Sequence, residues 1–170
     1  MNAVEIHLII NHVPIFATIF GGALVLYGIF SKNKGIVHTG LIVGVIAGIM
    51  VVPTYLSGVE SEALVKGEEY VSKKAIETHE EIADYALWFV VAYGIMSALT
   101  LFFSHKRKKQ NRKGAHPFVY ITLVYSVFII GLMVYVGNTG GKIRRPNIEF
   151  YDSFNPNKGM ELEKQDTTAQ

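Results

Sequence analysis

The strongest constraint on this chain is where its charges are missing. No Asp, Glu, Lys or Arg occurs in the 26 residues from Ile6 to Ser31, the 25 from Gly35 to Val59, the 21 from Tyr85 to His105 or the 28 from Gly114 to Gly141. A helix rises about 1.5 Å per residue, so roughly 20 apolar residues cross the ~30 Å hydrocarbon core of a bilayer. Four such stretches in 170 residues exclude a soluble enzyme, a nucleic-acid-binding domain and a disordered tail. They predict an all-α integral membrane protein, a four-helix bundle running up-down-up-down. Residues 1–146 form its four-helix transmembrane domain and 147–170 a polar C-terminal tail.

The segments between the stretches alternate in sign. Lys32 and Lys34 follow the first, and Lys106, Arg107, Lys108, Lys109, Arg112 and Lys113 follow the third with no acid among them. The opposite side carries Glu60, Glu62, Glu68, Glu69, Glu77, Glu80, Glu81 and Asp84. Lys- and Arg-rich short loops stay in the cytoplasm, so both termini and the acidic segment are expected outside. This topology suits a multi-pass protein of a bacterial cytoplasmic (inner) membrane. Beside two spans, the basic loop reads as a topology and anionic-lipid signal, with no nucleic acid implied. Met1 to Ile6 holds Glu5 and no basic residue, so the first stretch reads as a retained span and not as a cleaved signal peptide.

Pro14 should kink the first span, about Val4 to Phe30. Gly21-Gly22 offers a flat packing place there. In the second span, about Gly35 to Leu56, Gly40, Gly44 and Gly48 form a small-residue stripe for close helix approach. Pro53 should kink or end that span. The outer segment from Ser57 to about Thr78 reads as short and amphipathic. The third span runs from about Ala75 to Phe103, its first turns protruding, with Tyr85, Trp88 and Tyr93 available for an interfacial belt. The fourth runs from Pro117 to about Val136, before the turn-forming Gly137-Asn138-Thr139-Gly140-Gly141.

The chain has no cysteine, which removes disulfides, thiolate metal sites and covalent haem attachment. Chemistry then rests on six histidines. His7, His12 and His79 lie toward the outer side, and His38, His105 and His116 toward the cytoplasm. In an up-down bundle, spans one and three are diagonal partners, as are two and four. Facing histidines in such a bundle can each give haem iron one axial bond. His12 with His79 is the favoured outer pair, because an unbroken apolar run follows His12 and Ala83 and Ala86 below His79 admit a flat ring. Residues five apart lie about 140° apart on a helix, so His7 and His12 cannot both face one metal; His7 lines the haem edge or replaces His12. His38 with His116 would make a second site. Arg144 and Arg145 can pair with haem propionates. The expected cofactor is haem b, one or two per chain.

Other readings use the same residues. A histidine near a helix end commonly packs or sits at the interface, and Arg144 and Arg145 can bind lipid headgroups. His7, His12, His79, Glu80 and Asp84 offer nitrogen and oxygen ligands for a single Zn, Cu or Fe ion. Glu80, Glu81 and Asp84 could serve an ion path, but no carboxylate lies in mid-membrane, which argues against a pump or channel. No Ser-His-Asp set or phosphate-binding glycine loop is present.

His7-Leu-Ile-Ile-Asn-His12-Val-Pro14-Ile15 resembles the H-P-x-x-V-H-F-P-I opening of the bacterial membrane family called domain of unknown function 2231. That resemblance implies four spans, a histidine starting the third (here His79) and a Gly-Gly motif after the last (here Gly140-Gly141-Lys-Ile-Arg144-Arg145). It covers about Ile6 to Arg145 and points to His7, His12, His79 and Arg144. This chain departs in Leu8, Asn11 and its long acidic second connection. His38 and His116 gain no support from it.

These readings together lead to a b-type haem protein passing electrons, more an electron-transfer subunit than a stand-alone enzyme. Its expected partners are the lipid bilayer, other subunits of a respiratory or electron-transfer membrane complex, and a periplasmic carrier drawn to the acidic segment. The alternatives are a non-redox structural or assembly subunit and a membrane protein binding one metal ion.

Overall fold

A computed structural model describes residues 1–66, 71–109 and 117–143, without the side chains of 107–109. The described chain is all helical: α1 (Ala3–Ile10), α2 (His12–Phe30), α3 (Lys34–Val65), α4 (Lys73–Lys109) and α5 (Pro117–Lys142). α1 and α2 are one span, broken only at Asn11, whose backbone stays helical (φ −61°, ψ −26°). Four segments are long and apolar enough to cross a membrane. They pack as a ring in chain order, leaving spans one and three diagonal to each other, as are spans two and four.

The bundle buries many small hydroxylated residues beside its apolar core and is greasy outside. Thr18, Ser97, Thr100, Thr122 and Ser126 are buried, while Phe20, Phe30, Ile49, Val124 and Val127 are at least 60% exposed. In water this distribution would waste the hydrophobic driving force. In lipid it is the expected one, because hydrocarbon solvates the outside and small or hydroxylated residues let backbones meet inside. The protein is therefore a multi-pass membrane bundle.

Glycines set the closeness of that packing. A Cβ on Gly48 would lie 2.7 Å from the Gly94 Cα, and one on Gly40 2.7 Å from the Gly21 carbonyl oxygen. Gly40, Gly44 and Gly48 thus form the packing stripe their spacing implies, and Gly21 and Gly22 receive α3 and Ser126 of α5. Asn33 starts α3, its Oδ1 accepting from the backbone N–H of Gly35 (2.9 Å) and Ile36 (3.3 Å). Lys32 takes a left-handed φ of 54° in the tight turn before it.

Two helix ends and one side chain differ from the sequence reading. α3 runs through Pro53 to Val65, so the outer amphipathic stretch begins as a continuation of span two. Its Ser57 and Ser61 face inward and are buried, an interior that a helix lying on the membrane would not have. α5 passes through Gly137-Asn138-Thr139-Gly140-Gly141 to Lys142. There Thr139 and Gly140 serve contacts with His79 of α4. Tyr93 is fully buried and is no belt residue; Tyr85 and Trp88 are 61% and 71% exposed.

Candidate histidine site at the acidic end

Lys106 lies 18 residues beyond Trp88 on α4, about 27 Å, close to a hydrocarbon thickness. His79 lies nine residues before Trp88, roughly 13 Å farther along the axis. The site thus occupies the acidic end of the bundle, a head built from α1, the last turns of α3, the first of α4 and the last of α5.

Pro14 organises the first side of this head. Proline has no N–H, so the carbonyl of Ile10 loses its intrahelical donor. The Thr54 hydroxyl of α3 lies 3.3 Å from it and shares its one proton with the nearer Met50 carbonyl at 2.8 Å. The Thr54 carbonyl in turn receives the imidazole of His7, with Nδ1 3.0 Å away. A carbonyl oxygen only accepts, so the His7 proton sits on Nδ1. Ser57 Oγ lies 3.2 Å from the same nitrogen and spends its own proton on the Thr54 carbonyl. The ring rests over Gly58, where a Cβ would meet His7 Cε1 at 3.1 Å.

The opposite side repeats the plan. His79 Nδ1 is 2.9 Å from Thr139 Oγ1 on α5. Thr139 donates its hydroxyl proton to the Val136 carbonyl, so here too Nδ1–H is the donor. The His79 ring lies against Gly140, where a Cβ would meet its Cε1 at 3.1 Å. Both rings are half-buried at the acidic end, one on the first span and one on the third.

This arrangement defines what the site can bind. With Nδ1 committed as donor, a neutral imidazole presents a bare lone pair at Nε2, and among the described residues neither Nε2 has a hydrogen-bond partner. Asn11, one turn beyond His7, adds a buried Oδ1 with no donor among the described residues. The head thus offers imidazole lone pairs, which suit a Lewis acid. A ligating histidine normally donates its second nitrogen to a carbonyl or similar acceptor, which fixes ring orientation and raises basicity. Both histidines already have that support.

The residues expected from sequence divide accordingly. His7 and His79 come together. His12 does not join them: it is exposed and stacks on Phe16 at 6.2 Å between centroids. This corrects the favoured pairing of His12 with His79, and the cause is helical register. The inward stripe of the first span runs His7, Asn11, Pro14, Thr18, Gly21 and Val25, and the break at Asn11 does not rotate it. Asp84 accepts from the Tyr55 hydroxyl at 2.5 Å and Glu80 is exposed. Among the described residues no group of three or more His, Asp or Glu is gathered for a small ion. His38 is half-buried at the basic end of the bundle. His116, Arg144 and Arg145 lie outside the described residues.

Thr54, Ser57, Thr139, Gly58 and Gly140 were missed from the sequence. Their signal was present as a hydroxyl residue directly before a glycine, Ser57-Gly58 and Thr139-Gly140, with Thr54 three residues before Ser57. Comparisons of the chain with protein-family models, with curated proteins and with solved structures find no match.

Proposed function

We propose that this membrane bundle binds a b-type haem at its acidic end, with His7 and His79 as axial ligands, and passes electrons as a subunit of a larger respiratory or electron-transfer complex. The observation that carries this reading is the pair of bare Nε2 atoms on diagonal spans, each backed by a fixed Nδ1–H donor. Gly58 and Gly140 make room for the two imidazoles, and Ala83 and Ala86 are the small side chains below His79 that a flat macrocycle would need. When bound, haem supplies a one-electron couple and the protein supplies its position. The Thr54 carbonyl and the Thr139 hydroxyl hold the two rings in one tautomer and orientation. Arg144 and Arg145, close in sequence to the end of α5, are the residues to pair with propionates. The acidic surface of Glu77, Glu80 and Glu81 favours approach of a basic carrier.

The same proposal takes the charge asymmetry at face value: both termini outside and the basic loops in the cytoplasm of a bacterial inner membrane. It also takes up the resemblance to the domain-of-unknown-function 2231 family, whose motif residues include the two proposed ligands. The test is haem content and elemental analysis of purified protein. One haem per chain, lost in His79→Ala, is the expected result. Two per chain would assign His38 and His116 to a second site. A stoichiometric copper, zinc or iron ion without pigment would replace haem with the single-ion reading. A preparation free of both would leave a structural or assembly subunit.

A further inference from the structure

The interior below the histidine head contains hydroxyls that the proposed electron-transfer role does not use. Tyr93, Ser97, Thr100 and Ser104 follow one another at spacings of four, three and four residues. They share one face of α4, and that face is the buried one: Tyr93, Ser97 and Thr100 are fully buried. Tyr93 Oη, Ser97 Oγ and Ser104 Oγ are buried oxygens with no hydrogen-bond partner among the described residues. Ser97 Oγ neighbours Tyr93 Oη but lies off the geometry of a hydrogen bond. Thr122 donates to the Phe118 carbonyl, so Thr100 donates to Thr122 across the α4–α5 contact at 2.8 Å.

Three orphaned hydroxyls in one file are unusual in a native core, where buried polar groups are paired by protein or by ordered water. Their spacing indicates the partner. Tyr93 Oη and Ser97 Oγ are neighbours. Cβ atoms three or four residues apart on a helix lie about 5–6 Å from one another, so a single water between the short hydroxylated side chains further down would meet both. The site is polar enough to hold such waters, unlike an apolar cavity, which stays dry.

The file has a definite top and bottom. Tyr93 Oη is 3.1 Å from the position of a Cβ on Gly44 and 3.5 Å from one on Gly21. Gly44 is ten residues above Lys34, about 15 Å, or half of the ~30 Å hydrocarbon core. The phenol therefore sits at the bilayer midplane. Both halves of the interior hold an apolar cluster, with Val51, Ala86, Val90, Ile129 and Met133 above the phenol and Val25, Val37, Leu41 and Val119 below it. Among the described residues, orphaned hydroxyls of α4 accompany only the lower one. Below it the hydroxyls continue to Ser104, two residues short of Lys106 at the basic end.

We infer that this file is a water-filled half-path that connects the basic side of the membrane to the phenol of Tyr93 and stops there. Protons of the phenol exchange with bulk water on that side alone. The cluster of Val51, Val90, Ile129 and Met133 is the plug that separates the half-path from the histidine head. A mid-membrane ionisable group in contact with one side only is the element that coupling proton movement to redox state or voltage requires. No mid-membrane carboxylate is needed, and no through-channel is formed. The inference stands whether or not the histidines hold iron.

The absence of cysteine from the chain makes a clean test possible. Ser104→Cys, Ser97→Cys, Val90→Cys and the lipid-facing Leu99→Cys are made singly in the full chain and placed in phosphatidylcholine vesicles of one orientation. Silver ion, small enough for a narrow aqueous path, is added to one side, and thiol modification is read by mass. Ser104→Cys and Ser97→Cys are expected to react at least tenfold faster from the basic side than from the acidic side. Val90→Cys and Leu99→Cys are expected to resist from both. Adding the near-isosteric Thr100→Val to Ser97→Cys should slow its reaction about tenfold. The inference is overturned if Ser97→Cys reacts no faster than Val90→Cys. Equal reaction from both faces, or indifference to Thr100→Val, overturns it as well.

Discussion

The two halves of the bundle are held by different means. At the midplane, helices meet backbone to backbone: Gly48 on Gly94, Gly40 on Gly21, with little room for even a methyl group. In the acidic head, they meet through side chains, Thr54 to Ile10, His7 to Thr54 and His79 to Thr139, and through one backbone bond, Ser72 N–H to the Ile143 carbonyl. In lipid, helix association gains most from close van der Waals contact, and in the head specific hydrogen bonds set geometry instead. The midsection therefore resists any gain of volume, while the head should tolerate volume better and be sensitive to loss of particular polar atoms.

Substitutions can break or sharpen this contrast. Gly48→Val should have the largest effect on the fold, costing about 3 kcal/mol or more, because backbone cannot yield as a side chain can. Thermal unfolding in detergent would show it, and a wild-type melting temperature would refute backbone contact at that level. Thr54→Val removes the hydroxyl shared between the Met50 carbonyl and the Ile10 carbonyl freed by Pro14, at about 1 kcal/mol, the worth of an ordinary hydrogen bond. It leaves the Thr54 carbonyl for His7, so ligand binding by His7 should survive while stability falls.

Tyr93→Phe sharpens the comparison from the other side. If water meets the phenol, its loss should cost up to about 1 kcal/mol, the worth of an ordinary hydrogen bond. A gain in melting temperature would mean that the hydroxyl stands dry and that the midsection is as apolar in function as its glycines imply.

The smallest effect is expected at the surface of the head. Lys66 donates to Glu62 at 2.9 Å, and that contact holds the ammonium above its ordinary lysine value of 10.5. A raised lysine contributes stability that is fully present at neutral pH and fades only as the pH climbs through the folded-state value. Exposed pairs of this kind contribute little, so Glu62→Gln should leave the melting temperature at pH 7 within experimental scatter.

Much of this architecture was legible in the residues. Charge-free stretches marked the spans, and Gly40, Gly44 and Gly48 announced their packing role, because both signals are local and repeat along one helix. The head was harder to read. Gly137-Asn138-Thr139-Gly140-Gly141 carries every mark of a turn, yet it is helix, and Gly140 serves the approach of His79, 61 positions away in sequence. His7 and His12 were known to point apart, but the apolar run after His12 drew attention to the wrong one. The register of Pro14, Thr18 and Gly21, continued backwards by one turn at a time, would have selected Asn11 and His7. The hydroxyl file of α4 had a readable period as well, but an orphaned oxygen is visible only when its surroundings are known.

The reduced-minus-oxidised absorption spectrum of His7→Ala beside that of His12→Ala tests the central claim most directly. A sharp α band in the wild type should persist in His12→Ala and vanish in His7→Ala. A band that survives loss of His7 and disappears with His12, or a wild type with no such band, would contradict it.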